Sequence, residues 1–137
     1  VKKLIDANVI LRYLLKDDET LFKRASSLLE KVKVGEEAVI IPESVLAESV
    51  YVLQKVYKIE REVIAEKLRE LFAYKGIANS DKKDLIDSIL LFGQTRLSIV
   101  DCIVCSKSIN QGLSLTTFDD ELKKVYLTKL KTPMKQF

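Results

Sequence analysis

The run Ala38-Val39-Ile40-Ile41, four apolar residues of which three are β-branched, stops at Pro42. It is too short for a helix and shows no polar alternation, so it reads as a strand covered on both faces, the kind found in parallel sheets flanked by helices. The neighbouring segments supply those helices. Before the run, Leu21, Phe22, Ala25, Leu28, Leu29 and Val32 recur at three- and four-residue intervals, with Asp17 or Asp18 placed to cap the helix and Gly35 to end it. After it, Pro42 fits a first helical turn, and Leu46, Val50, Leu53 and Tyr57 share one face. The same alternation runs along the whole chain. Lys2-Lys3-Leu4-Ile5 leads into a helix over Val9 to Leu15, and Ile64, Leu68, Leu71 and Phe72 mark a further helix ahead of Gly76. Ile77-Ala78 forms a brief strand, Ser80 or Asp81 caps a helix carrying Leu85, Ile86, Ile89 and Leu90, and Asp101 opens one that ends at Gly112. Leu113 to Thr116 reads as a strand, Asp119 to Val125 as a helical turn, and Leu127 to Leu130 as a last strand before Pro133 and a frayed Lys135-Gln136-Phe137. Strands separated by helices imply right-handed parallel crossovers. The expected fold is α/β, a three-layer α/β/α sandwich with a central parallel sheet of four to five strands, in one domain spanning 1–137.

What the chain lacks narrows its chemistry. It has no His, which removes Ser-His-Asp and Cys-His hydrolysis and His-ligated zinc. Cys102 and Cys105 are its two cysteines, too few for a disulfide framework or a four-thiolate site, and their apolar helix argues for a buried structural role over redox chemistry. With no signal-like opening and no apolar run near the roughly 20 residues of a membrane span, a cytoplasmic setting without membrane association is expected. Catalysis, if present, falls to carboxylates, Lys, Tyr or a bound metal.

Ligands of open parallel sheets bind beyond the carboxyl ends of the strands, so acids at those ends carry the most information. Asp6 ends the first strand, Glu48 lies on the helix leaving Ala38 to Ile41, Asp101 begins the helix before Leu113, and Asp119 follows Leu113 to Thr116. Each has an ordinary explanation. Asp6 and Asp101 suit N-caps, Asp119 and Asp120 suit a first helical turn, and Glu48 sits about 40° past the apolar arc near Val52, where a solvated face accounts for it. As a group they are harder to set aside, because four carboxylates gathered together repel one another unless a cation lies between them. Hard oxygen ligands without His or thiolate favour Mg²⁺ or Mn²⁺, and such an ion suits water attack on a phosphodiester.

The same residues carry a family resemblance. Asp6-Ala7-Asn8-Val9-Ile10 resembles the opening Asp-x-Asn-Val-(Ile/Leu) motif of PIN-domain nucleases. Val45-Leu46-Ala47-Glu48-Ser49-Val50 resembles their glutamate-bearing helix, Val100-Asp101-Cys102-Ile103-Val104 their third acidic motif, and Leu115-Thr116-Thr117-Phe118-Asp119 their closing Thr-x-Asp motif. The four occur in order from Asp6 to about Leu130, over a length similar to that of VapC-type toxins, the ribonuclease half of toxin-antitoxin pairs. The resemblance implies a PIN-like fold and a Mg²⁺- or Mn²⁺-dependent endoribonuclease with Asp6, Glu48, Asp101 and Asp119 as catalytic, metal-holding acids. It implies Asn8 and Thr117 as supporting groups, an RNA substrate, a small antitoxin covering the acidic groove, and a homodimer through the helical surface from Leu46 to Tyr57. Two positions depart from the pattern: Cys102 stands where a small residue such as Ala is usual, and Asp119-Asp120-Glu121 leaves open which acid fills the fourth role.

Arg12 and Lys16, one turn apart after Asp6, are placed to meet an RNA backbone. Other α/β functions fail on the letters. A receiver domain needs a phospho-acceptor Asp mid-chain, yet no Asp lies between Asp18 and Asp81, and a dehalogenase-like phosphatase needs Asp-x-Asp, where the third position here is Asn8. The remaining alternative to an enzyme is a PIN-like RNA-binding or interaction module, for which a degraded acidic set is expected. Setting four of the twenty acids in one groove leaves sixteen against twenty-three bases, so a nearly neutral total of +3 conceals a frame of +7.

Overall fold

A computed structural model of the chain describes residues 1–131. Its elements run β1 (Lys3–Leu4), α1 (Ala7–Leu15), α2 (Glu19–Val34), β2 (Val39–Ile40), α3 (Glu43–Lys55), α4 (Arg61–Phe72), α5 (Lys82–Gln94), α6 (Ile99–Asn110) and α7 (Asp120–Lys131). Local signals set most of these boundaries. The Asp18 carboxylate accepts from the Leu21 N–H and starts α2, and Gly35, at φ 87°, ends it in the left-handed conformation that a residue without a Cβ adopts at no steric cost. Ser98, not Asp101, caps α6, and Asp101 is its third residue.

β1 and β2 pair in parallel, Lys3 against Val39 and Leu4 against Ile40. Ile77 adds a parallel bridge to Val39 on the other side, where the Val39 N–H donates to the Gly76 carbonyl and the Ala78 N–H to the Val39 carbonyl. The brief strand expected at Ile77-Ala78 is thus present as a bridge. Asn79 then lengthens the contact by side chain: its Oδ1 accepts from the Ile41 N–H at 2.9 Å and its Nδ2 donates to the Ile41 carbonyl at 2.7 Å. Gly76 lets this third segment approach, since a Cβ there would lie 2.0 Å from the Glu37 carbonyl oxygen and 2.8 Å from that of Val32.

Two expected strands do not form among the described residues, so the sheet is smaller than four to five strands. Leu113 to Thr116 joins no ladder; the Leu115 N–H and the Leu113 carbonyl meet the Tyr126 hydroxyl, each at 3.4 Å. Leu127 to Leu130 is the second half of α7, whose Leu122, Val125 and Tyr126 pack at three- and four-residue spacing on the core. No Gly or Pro interrupts 113–132, so nothing stops the helix that Asp119 begins. Pro133 and the tail Lys135-Gln136-Phe137 lie outside the described residues.

The core is one cluster, with Leu29, Ile41, Leu46, Leu68, Leu85 and Phe92 at its buried centre. α4 packs on α5, α5 on α6, and α1 on both α2 and α3, while α3 also meets α6 and α6 meets α7. The helices bearing the four predicted acids are therefore neighbours in series. Cys102 and Cys105 are free and buried, and burial pushes the Cys102 thiol up to about 12, which suits a structural residue and not a thiolate nucleophile.

Candidate active site

Asp6 leaves β1 in extended conformation, and one carboxylate oxygen accepts from the Val9 N–H at 3.3 Å. It ends a strand and caps α1 at once, so its ordinary and functional readings coexist. Asp119 is built the same way: its Oδ1 accepts from the Leu122 N–H at 2.8 Å, and its own N–H donates to Thr117 Oγ1 at 3.0 Å. Thr117 thereby fixes the approach to the cap. Asp101 stands half-buried in the first turn of α6, its N–H given to Ser98 Oγ at 3.1 Å. Glu48 projects from the exposed side of α3, whose buried residues are Leu46, Ser49, Val50 and Leu53.

Among the described residues none of these four carboxylates is in an ion pair, although acids nearby are. Glu43 and Asp81 share the Lys107 ammonium at 3.5 and 3.1 Å, and Asp81 also accepts from Asn79. Burial pulls the Lys107 pKa down, but the hydrogen bond to Asp81 and the charge of Glu43 outweigh it and the net shift is upward. Asp17 takes both oxygens to Arg12 Nη1 at 2.8 Å, and Arg12 Nη2 donates to the Tyr57 hydroxyl at 3.2 Å. The Tyr57 bond and the Asp17 charge raise the Arg12 pKa against the effect of desolvation. Arg12 is thus engaged within the protein, while Lys16 forms the left-handed cap of α1 with its ammonium over the Phe22 ring.

A cavity of about 350 Å³ opens beside Asp6 between α1 and α2, lined by Asn8, Val9, Arg12, Leu21, Arg24, Ala25 and Leu28 as well as Asp6 itself. A second, of about 440 Å³, lies on the other side of Asp6 against Lys3, Leu4, Ile5 and Val45. Asp6 is common to both. Asn8 accordingly faces the same space as the first acid, as its sequence position two residues on suggests.

The donor set suits a hard divalent cation in kind: four carboxylates, no imidazole in the chain, and both thiols buried. Among the described residues, however, no three such groups stand close enough together to hold a metal ion.

Sequence reasoning missed the polar links that hold this end of the molecule. Asn79 and Lys107 carried no motif, and the buried Asp84, which accepts from Asn110 Nδ2 at 2.9 Å and Gln111 Nε2 at 3.2 Å, reads as an ordinary helix-surface acid until α5 and α6 are paired. Only its place among Leu85 and Ser88 on the inward side of α5 hinted at burial.

Comparison with known proteins adds to this geometry. A family model described as PIN domain matches residues 3–127. A VapC ribonuclease from Aquifex aeolicus (strain VF5) is 29% identical over 125 residues, covering 90% of this chain and 91% of the relative. No solved structure matches significantly.

Proposed function

The chain belongs to the PIN-domain family, and from that premise we propose that it is a divalent-metal-dependent endoribonuclease that hydrolyses RNA phosphodiester bonds and serves as the toxin of a toxin-antitoxin pair. The observation that carries the reading is the match of the PIN-domain model over residues 3–127, a span that includes Asp6, Glu48, Asp101 and Asp119. To hold Mg²⁺ or Mn²⁺ these residues would have to draw closer than the described structure places them, and such an ion would supply Lewis acidity to a phosphate oxygen and polarise an attacking water. The chain's own part is placement. Asp6 and Asp119 are oriented by their capping hydrogen bonds, Thr117 holds the turn that presents Asp119, and Asn8 offers an amide to whatever enters the cavity beside Asp6. The similarity to a VapC ribonuclease supports an RNA substrate and a small antitoxin partner, and the exposed Tyr51 and Val56 of the surface from Leu46 to Tyr57 suit a homodimer. No helix among the described residues is long and apolar enough to cross a membrane.

The test is cleavage of structured RNAs by the wild type and by Asp101→Asn, each with and without EDTA. Cleavage is expected only from the wild type with metal, and activity surviving both changes refutes the mechanism. Loss in Asp120→Asn or Glu121→Gln with retention in Asp119→Asn moves the fourth role along the chain. Salt-dependent RNA binding without cleavage makes the protein a binding module instead.

A further inference from the structure

We propose that the cavity between α1 and α2 is the pocket for one nucleotide of the RNA, next to the bond that is cut, and that Arg24 holds the phosphate of that nucleotide. The proposal rests on the ribonuclease reading above and assigns a residue that no motif marked.

The cavity has two halves of different chemistry. Val9, Leu21, Ala25 and Leu28 give it an aliphatic wall, while Asp6, Asn8 and Arg24 supply polar groups. Its volume of about 350 Å³ lies at the lower end for pockets that enclose small ligands, the scale of a nucleotide and not of a folded partner. Two guanidinium groups line it, and they are not equivalent. Arg12 has both terminal nitrogens committed, to Asp17 and to Tyr57, and its Nε is buried without an acceptor, so it forms a fixed wall. Arg24 is exposed on α2 and makes no ion pair or hydrogen bond among the described residues. An unpaired guanidinium at a cavity mouth is a ready fork for two phosphate oxygens.

A nucleotide answers both halves at once. Its base lies against the aliphatic wall within reach of the Asn8 amide, as single-stranded RNA bases are commonly held by a flat contact plus edge hydrogen bonds, and its phosphate meets Arg24. An acidic peptide side chain answers Arg24 alone, and an apolar one the wall alone. Because Asp6 lines the same cavity, the nucleotide placed there adjoins the acid assigned to the cleavage site.

The experiment measures binding of a fluorescein-labelled single-stranded RNA, which the wild type cleaves when metal is present, by anisotropy in EDTA across a salt series. Wild type, Arg24→Gln, Arg24→Lys and Lys23→Gln are compared; Lys23 is exposed on the same helix and paired to Glu19. Arg24→Gln is expected to weaken binding roughly tenfold and to reduce the slope of log affinity against log salt by about 0.7, the loss of one phosphate contact to a single strand. Arg24→Lys should recover part of the affinity and all of the slope, and Lys23→Gln should change neither. A single abasic position walked along the RNA should weaken wild-type binding at one site. Wild-type cleavage with unchanged affinity and slope in Arg24→Gln overturns the pocket but leaves the ribonuclease reading standing; an RNA neither bound nor cut by the wild type overturns that reading first. If Arg24→Gln binds RNA normally but no longer binds an acidic protein partner, the cavity is a peptide groove and the proposal fails.

Discussion

Replacing Asn79 by Ala removes the side chain that completes the sheet beyond β2. Three hydrogen bonds go, one from the Ile41 N–H at 2.9 Å, one to the Ile41 carbonyl at 2.7 Å and one to the Asp81 carboxylate at 3.1 Å, of which the first two leave buried backbone groups unpaired. Ile41 is fully buried, so water does not replace either partner in the native state. Each backbone group left unsatisfied costs about 1–3 kcal/mol, which gives about 2–4 kcal/mol for the pair after local relaxation. With a urea dependence of about 2 kcal/mol per molar for a domain of this size, the midpoint of urea unfolding should fall by about 1–2 M with the slope unchanged. Asn79→Asp supplies an internal check. Its carboxylate still accepts from the Ile41 N–H but donates nothing to the carbonyl, and it brings a charge to within reach of Asp81, which Asn79 now contacts at 3.1 Å. It should therefore be destabilised as well, in contrast to a site where any acceptor suffices. A midpoint for Asn79→Ala within about 0.3 M of wild type, or an Asn79→Asp variant as stable as wild type, refutes the idea that this amide acts as a piece of strand. A secondary effect follows because Ile41-Pro42 leads directly into α3: the start of the helix bearing Glu48 loosens.

Two other measurements probe different parts of the same framework. Gly76→Ala places a Cβ against two backbone carbonyls, which have no rotamer to yield, and should cost about 2–3 kcal/mol, seen as a lower melting temperature, whereas Gly112→Ala has open space and a cost of about 1 kcal/mol from its positive φ of 68° alone; equal melting temperatures contradict the packing account. The buried Cys102 thiol ionises at about 12 in the folded chain against 9.0 as a free thiol, so its contribution is complete below pH 9 and is lost as pH rises toward 12; the stability difference between wild type and Cys102→Ala should shrink across that window in urea titrations, and a constant difference excludes the buried thiol as the cause.

How much of this was legible beforehand follows from the range of the forces involved. Local signals were reliable: the Asp18 cap, the Gly35 stop and the strand before Pro42 depend on neighbours within a turn, and they appear where the letters put them. That Asp6 and Asp119 cap helices was readable because a cap depends on residues within one turn. What failed was pairing. Leu113 to Thr116 has strand-like letters, but whether it joins a sheet depends on a partner far away in sequence, and here its backbone meets the Tyr126 hydroxyl and no strand. Leu127 to Leu130 was misread because a four-residue window does not separate a buried strand from the end of a helix; the deciding signal was the uninterrupted spacing from Leu122. Asn79 and Lys107 were invisible for the same reason, since each matters only through a residue far away in sequence.

The distribution of the acids suggests how the molecule tolerates them without cations. Asp6 and Asp119 accept the free N–H groups at the starts of α1 and α7, and Asp101 lies in the first turn of α6. Three of the four carboxylates therefore sit at helix N-termini, where the unpaired N–H groups and the helix dipole favour negative charge. A salt bridge would do the same but would also fill the carboxylate and compete with any incoming metal or phosphate. Helix N-termini leave an oxygen of each capping carboxylate available, and they orient it, because the cap fixes both the backbone and the first torsion of the side chain. Glu48 has no such support: it is exposed, uncapped and placed only by the phase of α3. The two caps accordingly present Asp6 and Asp119 already oriented while Glu48 is free to move. Because no three of these groups stand close enough to hold a cation among the described residues, closing a shared site would order Glu48 and also draw the bearing segments together.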